Sequence, residues 1–334
     1  MFTERLNSGD ILLTAHHQDD QAETVLLQLL RGAGPKGLSA MPRLKPLGKG
    51  FHARPLLDVS REELMRYAQA RTLNWIEDES NSNTHYMRNF LRHDILSRLK
   101  TRLPTITKTL ARVADNCAQV QELLRVTAKQ HLQNMLGSSP QQLFVPALLK
   151  HDALQQSAIL RTWFEELNYP IPSAVKLQQI QQSFLSIRQD KVPHIHWGNV
   201  ELRRYRDYLY IMPCLVSHDK YRTYEWDLSQ SLNLPAIGAL QATSQQGQGL
   251  RLDIQKVLVR FRQGGEMIQL PGRSHRHEVK KLFQAWGIPS WQRDRIPFIF
   301  VGDQLAAIVG WAVDAMFVAE KNAWGQALTL QPFL

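Results

Sequence analysis

Cysteine is nearly missing from this chain: Cys117 and Cys214 are the only two in 334 residues, too few for a disulfide framework and consistent with a reducing compartment. Long apolar runs are missing too. No stretch reaches the roughly 20 residues that a helix needs to span a bilayer. The first residues carry no signal-peptide core, which argues against secretion and membrane insertion and for a cytoplasmic protein. Acidic residues are in deficit, with 40 Lys and Arg against 30 Asp and Glu, a net charge of +10. That balance suits a polyanion bound through phosphate contacts and counterion release. The length allows two or three domains with cores of their own.

What is present concentrates between Leu12 and Ser39, LLTAHHQDDQAETVLLQLLRGAGPKGLS. The continuous run Ile11, Leu12, Leu13, ending at Ala15, predicts a buried strand. From Asp20 onward Ala22, Val25, Leu26, Leu29 and Leu30 repeat with the spacing of one helical face until Gly32 stops it. His16, His17, Asp19, Asp20 and Glu23 therefore stand at the carboxyl end of a strand, where open α/β sheets hold ligands. Asp20 and Glu23 also fit a capping box. Capping explains two carboxylates, but not Asp19 and two adjacent histidines beside them. A metal site is the rival reading, although the i, i+4 histidine pair of HExxH is lacking. The segment Gly32 to Gly37 spells GxGxxG but follows a helix instead of opening one, and Leu38 stands where a Walker loop needs lysine. It reads either as a helix stop with flexible turns or as a basic, glycine-rich lip over the strand ends.

Further along, Ser60 and Glu63 form a capping box for a helix to Ala70. Trp75 and Ile76 predict a buried anchor before the acidic run Glu77, Asp78, Glu79. Thr105 to Leu136 is the clearest helix: Ile106, Leu110, Val113, Cys117, Val120 and Leu124 recur by fours and threes, which predicts a core stripe. Helices near Asp152 to Leu167 and Ser173 to Ile187 complete a small helical domain. His194 to Trp197 then turns at Gly198-Asn199 into Val200 to Met212. There Arg203, Arg204 and Arg206 interleave with Tyr205, Tyr208 and Tyr210, residues that can contact phosphates and stack on bases, or else decorate an ordinary exposed strand. Leu215 to Leu250 holds no firm pattern and reads as a linker or long loop. From Arg251 an α+β pattern begins, with alternation at Val257, Val259 and Phe261, strands at Phe298 to Val301 and Leu305 to Val309, and a helix near Ser274 to Trp286. Arg273, His275, Arg276, Lys280 and Lys281 would crowd the start of that helix against its dipole, which points to an anionic partner. Arg293 and Arg295 continue the basic surface.

Five motifs keep a common order: HHQDDQAET, LLRGAGPKGLSAM, RPLL at Arg54 to Leu57, WIEDESN at Trp75 to Asn81 and RNFLR at Arg88 to Arg92. Together they closely resemble the tRNA(Ile)-lysidine synthase family, and the resemblance runs on through the basic C-terminal region. It implies an α/β fold, a truncated doubly wound parallel sheet of the PP-loop ATP pyrophosphatase type over residues 1–99. A helical tRNA- and substrate-binding domain with a hairpin would follow over 100–214, a linker over 215–250, and an α+β tRNA-binding domain over 251–334. The implied reaction joins lysine to C2 of the wobble cytidine of tRNA(Ile), forming lysidine and changing codon reading from AUG to AUA. ATP first adenylates the C2 oxygen, and the lysine amine then displaces AMP. ATP and Mg2+ are the implied cofactors; tRNA(Ile) with a CAU anticodon and free L-lysine are the implied partners, with a homodimer as a further option.

By that resemblance Asp19, Asp20 and Glu23 handle magnesium, lysine and base positioning, with Asp19 and Asp20 as the metal ligands. His17 and Thr24 lie near the nucleotide, and Arg88 and Arg92 steady the charged intermediate. Asp78 approaches the site. The tRNA would be held by Arg31, Lys36, Arg203, Arg204, Arg206, Arg273, Arg276, Lys280, Lys281 and Arg293. The SGGxDS loop that carries ATP phosphates in the PP-loop superfamily does not occur in this sequence. The chain thus reads as a family protein lacking its first strands and helices, with a free sheet edge expected to promote aggregation or partner binding. Three functional readings stand: the ligase, a non-catalytic tRNA-binding remnant, and a metal-dependent hydrolase built on His16, His17, Asp19 and Asp20.

Overall fold

A computed structural model describes residues 4–76, 84–185 and 194–331. Two compact units divide the chain, residues 1–187 and 188–334.

The first unit opens with β1 (Ile11–Leu13) and α1 (Gln18–Leu30), then the single turn α2 (Pro35–Leu38), β2 (Leu44–Leu47), β3 (Gly50–Ala53) and α3 (Arg61–Ala70). The strands form one sheet in the order β1-β3-β2, with β1 parallel and β2 antiparallel to β3. As the strand-helix reading required, β1 leads directly into α1. Its burial does not follow the prediction, because Ile11 and Leu13 are exposed and β1 is an edge strand. An unbroken apolar run records apolar faces but not which neighbours cover them. Along α1, Ala22 and Val25 are buried while Leu29 and Leu30 are exposed.

Helix α4 (Met87–Phe90) continues through a π-helical segment, Leu91–Leu96, into α5 (Ser97–Arg102). The 28-residue α6 (Ile106–Gln133) follows. Its predicted core stripe is covered only in part: Ile106, Leu110 and Cys117 are half-buried and Val113, Val120 and Leu124 exposed, whereas Thr107, Ala114, Ala128 and Leu132 are buried. Small residues on that second face let α1 and α8 approach α6 closely. After β4 (Gln142–Phe144) and α7 (Val145–Leu148) come α8 (Ala153–Glu166) and α9 (Ala174–Ile180). Asp152 and Ser173 cap the last two. Their core holds Ile159, Leu160, Trp163, Phe164, Leu177, Ile180 and Phe184, and the Trp163 indole donates to the Pro140 carbonyl at 2.8 Å. Ile187 of the predicted third helix lies outside the described residues.

The second unit begins with β5 (His194–Trp197), β6 (Val200–Tyr205) and β7 (Tyr208–Pro213), an antiparallel meander. Gly198-Asn199 makes the predicted two-residue turn, and Arg206-Asp207 makes a second that divides the expected long strand. Residues 215–250 are not a linker. They supply β8 (Tyr224–Asp227), β9 (Leu232–Leu234) and β10 (Gly238–Gln246), and bury Trp226, Leu228, Leu234, Ile237 and Leu240. Their Gln- and Ser-rich end hides this strand character, because residues 243–246 of β10 are exposed. Then follow β11 (Leu250–Arg251), β12 (Lys256–Arg260), β13 (Met267–Gln269), β14 (Arg276–Glu278), α10 (Val279–Ala285), α11 (Ser290–Arg293), β15 (Phe298–Val301), β16 (Gln304–Ile308), β17 (Ala312–Val313) and β18 (Trp324–Gln331).

A sheet ordered β11-β18-β10-β9 and another ordered β17-β16-β15-β12-β8 share one core, with Val257, Val259 and Ile299 pointing into it. The opposite face of the second sheet, through Phe298, Leu305 and Ile308, packs on Val279 and Phe283 of α10. This is alternation at work: Phe298 and Ile299 serve different cores. Gly249 must be glycine, since its φ is +83° and a Cβ would stand 2.0 Å from the Gln326 carbonyl oxygen.

Candidate active site

The junction of β1 and α1 builds the site. His17 occupies the N-cap of α1, and its ring accepts from the Asp20 N–H while the Asp20 carboxylate accepts from the His17 N–H at 3.0 Å. The capping pair is therefore His17 with Asp20, one turn earlier than the predicted Asp20 with Glu23. Glu23 is left free for another purpose. It is fully buried, at 0 % exposure, and two arginines enclose it, Arg88 from α4 and Arg92 from the π-helical segment. Arg88 Nε donates to Glu23 Oε2 at 2.7 Å and Arg92 Nε to Oε1 at 2.5 Å. The Nη2 atoms of both reach Asp20 Oδ1, at 3.0 and 3.1 Å. A buried carboxylate is tolerated only when paired and hydrogen-bonded, and these forked contacts meet that condition. Residues 88 and 92 stand four apart on continuous helix, so both side chains leave the same face and turn toward α1. Hydrogen bonding to Glu23 raises the Arg92 guanidinium above its ordinary value.

Asp19 points elsewhere. It pairs with Lys100 of α5 and accepts from the Arg61 N–H at 2.9 Å, where α3 begins. Burial pushes its carboxyl up, but the Arg61 N–H and the Lys100 ammonium outweigh that and hold it below the usual range. Thr24 donates back to the Asp20 carbonyl at 2.7 Å, within its own helix. At the strand ends, Thr14 Oγ1 bridges His16 Nδ1 at 2.7 Å and His52 Nε2 at 2.9 Å. Arg54 lies beside His52 and donates from Nη1 to the Pro42 carbonyl at 2.8 Å. Arg54 is 6 % exposed, has no carboxylate partner among the described residues, and its buried Nε has no hydrogen-bond acceptor. Burial lowers the pKa values of Arg54, His16 and His52.

Asp19, Asp20, Glu23, Arg88 and Arg92 are thus brought together. Neither Arg54 nor Lys100 was singled out from sequence; the first stood within RPLL, while the second offered only a charge eight residues beyond Arg92. Asp78 lies outside the described residues. The expected magnesium pair does not fit as found, because each oxygen of Asp19 and Asp20 already accepts a hydrogen bond from the chain: from Lys100 and Arg61 on Asp19, from the two arginines and His17 on Asp20. Among the described residues no group of three or more His, Cys, Asp or Glu is arranged for a metal. This removes the support for a metal-dependent hydrolase.

The expected tRNA contacts divide in two. Lys36 pairs with Glu165. Arg203 chelates the buried Glu201 at 2.9 and 3.1 Å and covers the Trp291 ring, and Arg206 donates to the Gln284 carbonyl. Arg293 donates to the Ile288 carbonyl at 2.8 Å and to the Tyr205 hydroxyl at 3.0 Å. These three arginines hold the meander to the segment around α10 and α11. Arg31, Arg273, Arg276, Lys280 and Lys281 are exposed. The helix starts at Val279, not Ser274, so Arg273 and Arg276 lie in a turn and in β14, and only Lys280 and Lys281 remain in its first turn against the dipole.

Comparison with known proteins places this arrangement. Residues 1–99 match the PP-loop domain family, 143–210 the TilS substrate binding domain and 257–330 the TilS substrate C-terminal domain. A PP-loop domain followed by these two defines an ATP-using ligase that modifies tRNA. A tRNA(Ile)-lysidine synthase from Coxiella burnetii is 41 % identical over 99 % of this chain and 74 % of its own length. Those of Methylococcus capsulatus and Legionella pneumophila strain Paris are 38 % and 36 % identical, over 91 % and 97 % of this chain and 70 % and 75 % of theirs. A crystal structure of a TILS C-terminal domain aligns with 34 % of this chain and 99 % of its own, at 22 % identity and a TM-score of 0.29. The chain belongs to the tRNA(Ile)-lysidine synthase family. Among the described residues no helix is long and apolar enough to cross a membrane.

Proposed function

We propose that the cluster of Asp19, Asp20, Glu23, Arg88 and Arg92 is where this chain carries out lysidine formation on tRNA(Ile) with a CAU anticodon, using free L-lysine. One observation carries the reading: a fully buried carboxylate holds two arginines beside a strand end, four residues from a second carboxylate that already binds a primary ammonium. Glu23 and Asp20 fix Arg88 and Arg92 in one orientation, so their remaining N–H groups are preorganised for an anion and need no rearrangement during reaction. Arg54 offers a third cation, one with no carboxylate partner among the described residues. ATP, when bound, supplies the AMP group that makes the cytidine C2 oxygen a leaving group. Asp19 is engaged by the Lys100 ammonium and the Arg61 N–H, and so ties α5 and the start of α3 to this cluster. The attacking amine must be neutral, forming the C2–N bond as the C–O bond to AMP breaks. His17 fixes the start of α1 and Thr24 its first turns. No step is assigned to Mg2+.

The test is ATP-dependent incorporation of labelled lysine into tRNA(Ile), with release of pyrophosphate and AMP. Arg92→Ala is expected to lower incorporation by roughly 10²-fold or more, the scale for losing one preorganised donor, while tRNA binding persists. A folded chain that binds tRNA and incorporates no lysine overturns the catalytic reading and leaves the tRNA-binding one. We further propose a homodimer, supported by the exposed apolar stripe of α6. Sedimentation as a monomer at every concentration refutes it.

A further inference from the structure

The second unit carries a feature that neither the active site nor the basic surface uses. Trp286 ends α10 and Trp311 follows the turn at Gly310; their rings stack, with centroids 5.5 Å apart and planes 16° from parallel. Trp286 is anchored from behind by Phe283, 6.1 Å away. Trp311 is 47 % exposed. The pair lines a cleft of about 590 Å³ whose other walls include Gly247, Gly249, Pro271 and Gly310, and no charged side chain lines it. Two exposed cationic residues neighbour the segments that line it. Arg273 closes the turn that begins at Leu270 and runs through Pro271, and the Lys321 backbone abuts Gly247.

We infer that this cleft binds an unpaired nucleotide of the tRNA, its base stacked on Trp311 and its phosphates met by Arg273 and Lys321. A flat apolar platform with a neutral interior and cations on neighbouring segments matches a nucleotide, which is a flat uncharged base on an anionic backbone. Stacking on an indole tolerates any base, since each presents a π face. Paired regions are excluded because their base faces are already covered. The glycine-lined walls leave peptide groups near the base edge. Gly310, with φ +76°, lets the chain turn tightly enough to present Trp311 outward. The inference deepens the tRNA reading above and rests on it.

The experiment measures affinity for tRNA(Ile), for a short single-stranded oligoribonucleotide and for a blunt RNA duplex. Trp311→Ala is expected to weaken tRNA and the single strand by about tenfold or more, and Trp311→Phe by less, with duplex binding unchanged. Thermal melting of Trp311→Ala should match the parent, because the ring is half exposed. If that variant does unfold, Arg273→Ala with Lys321→Ala must still weaken the single strand more than the duplex. A parent chain that binds no tRNA removes the tRNA reading itself. A parent that binds tRNA, paired with variants of unchanged affinity, removes the platform alone, as does a Trp311→Ala effect confined to self-association.

Discussion

Glu23 shows how one side chain can be both structural and chemical. Removing it leaves Arg88 and Arg92 facing a buried hole in the charge pattern, and breaking a buried pair on one side costs about 3 kcal/mol or more. Glu23→Gln is therefore expected to lower the melting temperature and lysine incorporation together, whereas Arg88→Lys, at the more exposed partner, should affect stability less. Calorimetry beside the incorporation assay checks both. The histidines at the strand ends make a second prediction. His16 and His52 have pKa values below the ordinary 6.5 in the fold, so the unfolded chain binds more protons than the folded one in the window beneath 6.5. Their contribution is complete above pH 6.5 and is lost as pH falls from there toward the lower folded values. Melting followed from pH 8 to 5 should show this decline, and Thr14→Val, which removes their shared hydroxyl, should change its slope.

Among elements, α6 carries the sharpest correction. A stripe repeating by fours and threes names a face that some neighbour can cover, but not the face that this fold covers most deeply. Here the most deeply covered face runs through Thr107, Ala114, Ala128 and Leu132, because close packing of α1 and α8 needs small residues. Ala114→Leu is thus expected to destabilise the monomer by about 1–3 kcal/mol through overpacking, while Leu123→Lys, at a position 67 % exposed, should change the monomer's stability by no more than about 0.5 kcal/mol. Equal losses from the two, measured by urea denaturation, would mean that the helix is rotated from the arrangement described. The same limit explains the rest of the comparison. The capping box at Ser60, the turn at Gly198-Asn199 and the strand at Phe298–Val301 depend on adjacent residues and were legible. The Glu23–Arg88–Arg92 and Asp19–Lys100 pairs join residues 65 or more positions apart, and spacing gives no measure of such contacts. The family motifs put the first three in one site, but not in contact. Strands β8 to β10 were missed because their pattern is interrupted by turns and ends in a polar extension.

For the molecule as a whole, the net charge of +10 is a statement about encounter with a polyanion, but not every arginine contributes equally. Arg203, Arg206 and Arg293 are held by Glu201, Gln284, Ile288 and Tyr205 inside the second unit. Arg273, Arg276, Lys280 and Lys281 project into solvent. Both sets look alike in the sequence, and both suggest RNA. Neutralising the first set is expected to lower the melting temperature of the second unit and to alter tRNA affinity mainly through that loss. Neutralising the second should leave melting unchanged, weaken tRNA binding, and flatten the dependence of log affinity on log salt by nearly one unit for each phosphate contact removed. Binding isotherms from low to physiological salt separate the two. A salt slope that is unchanged when the exposed four are neutralised would relocate the phosphate-binding surface to the first unit, where Arg31 is also exposed.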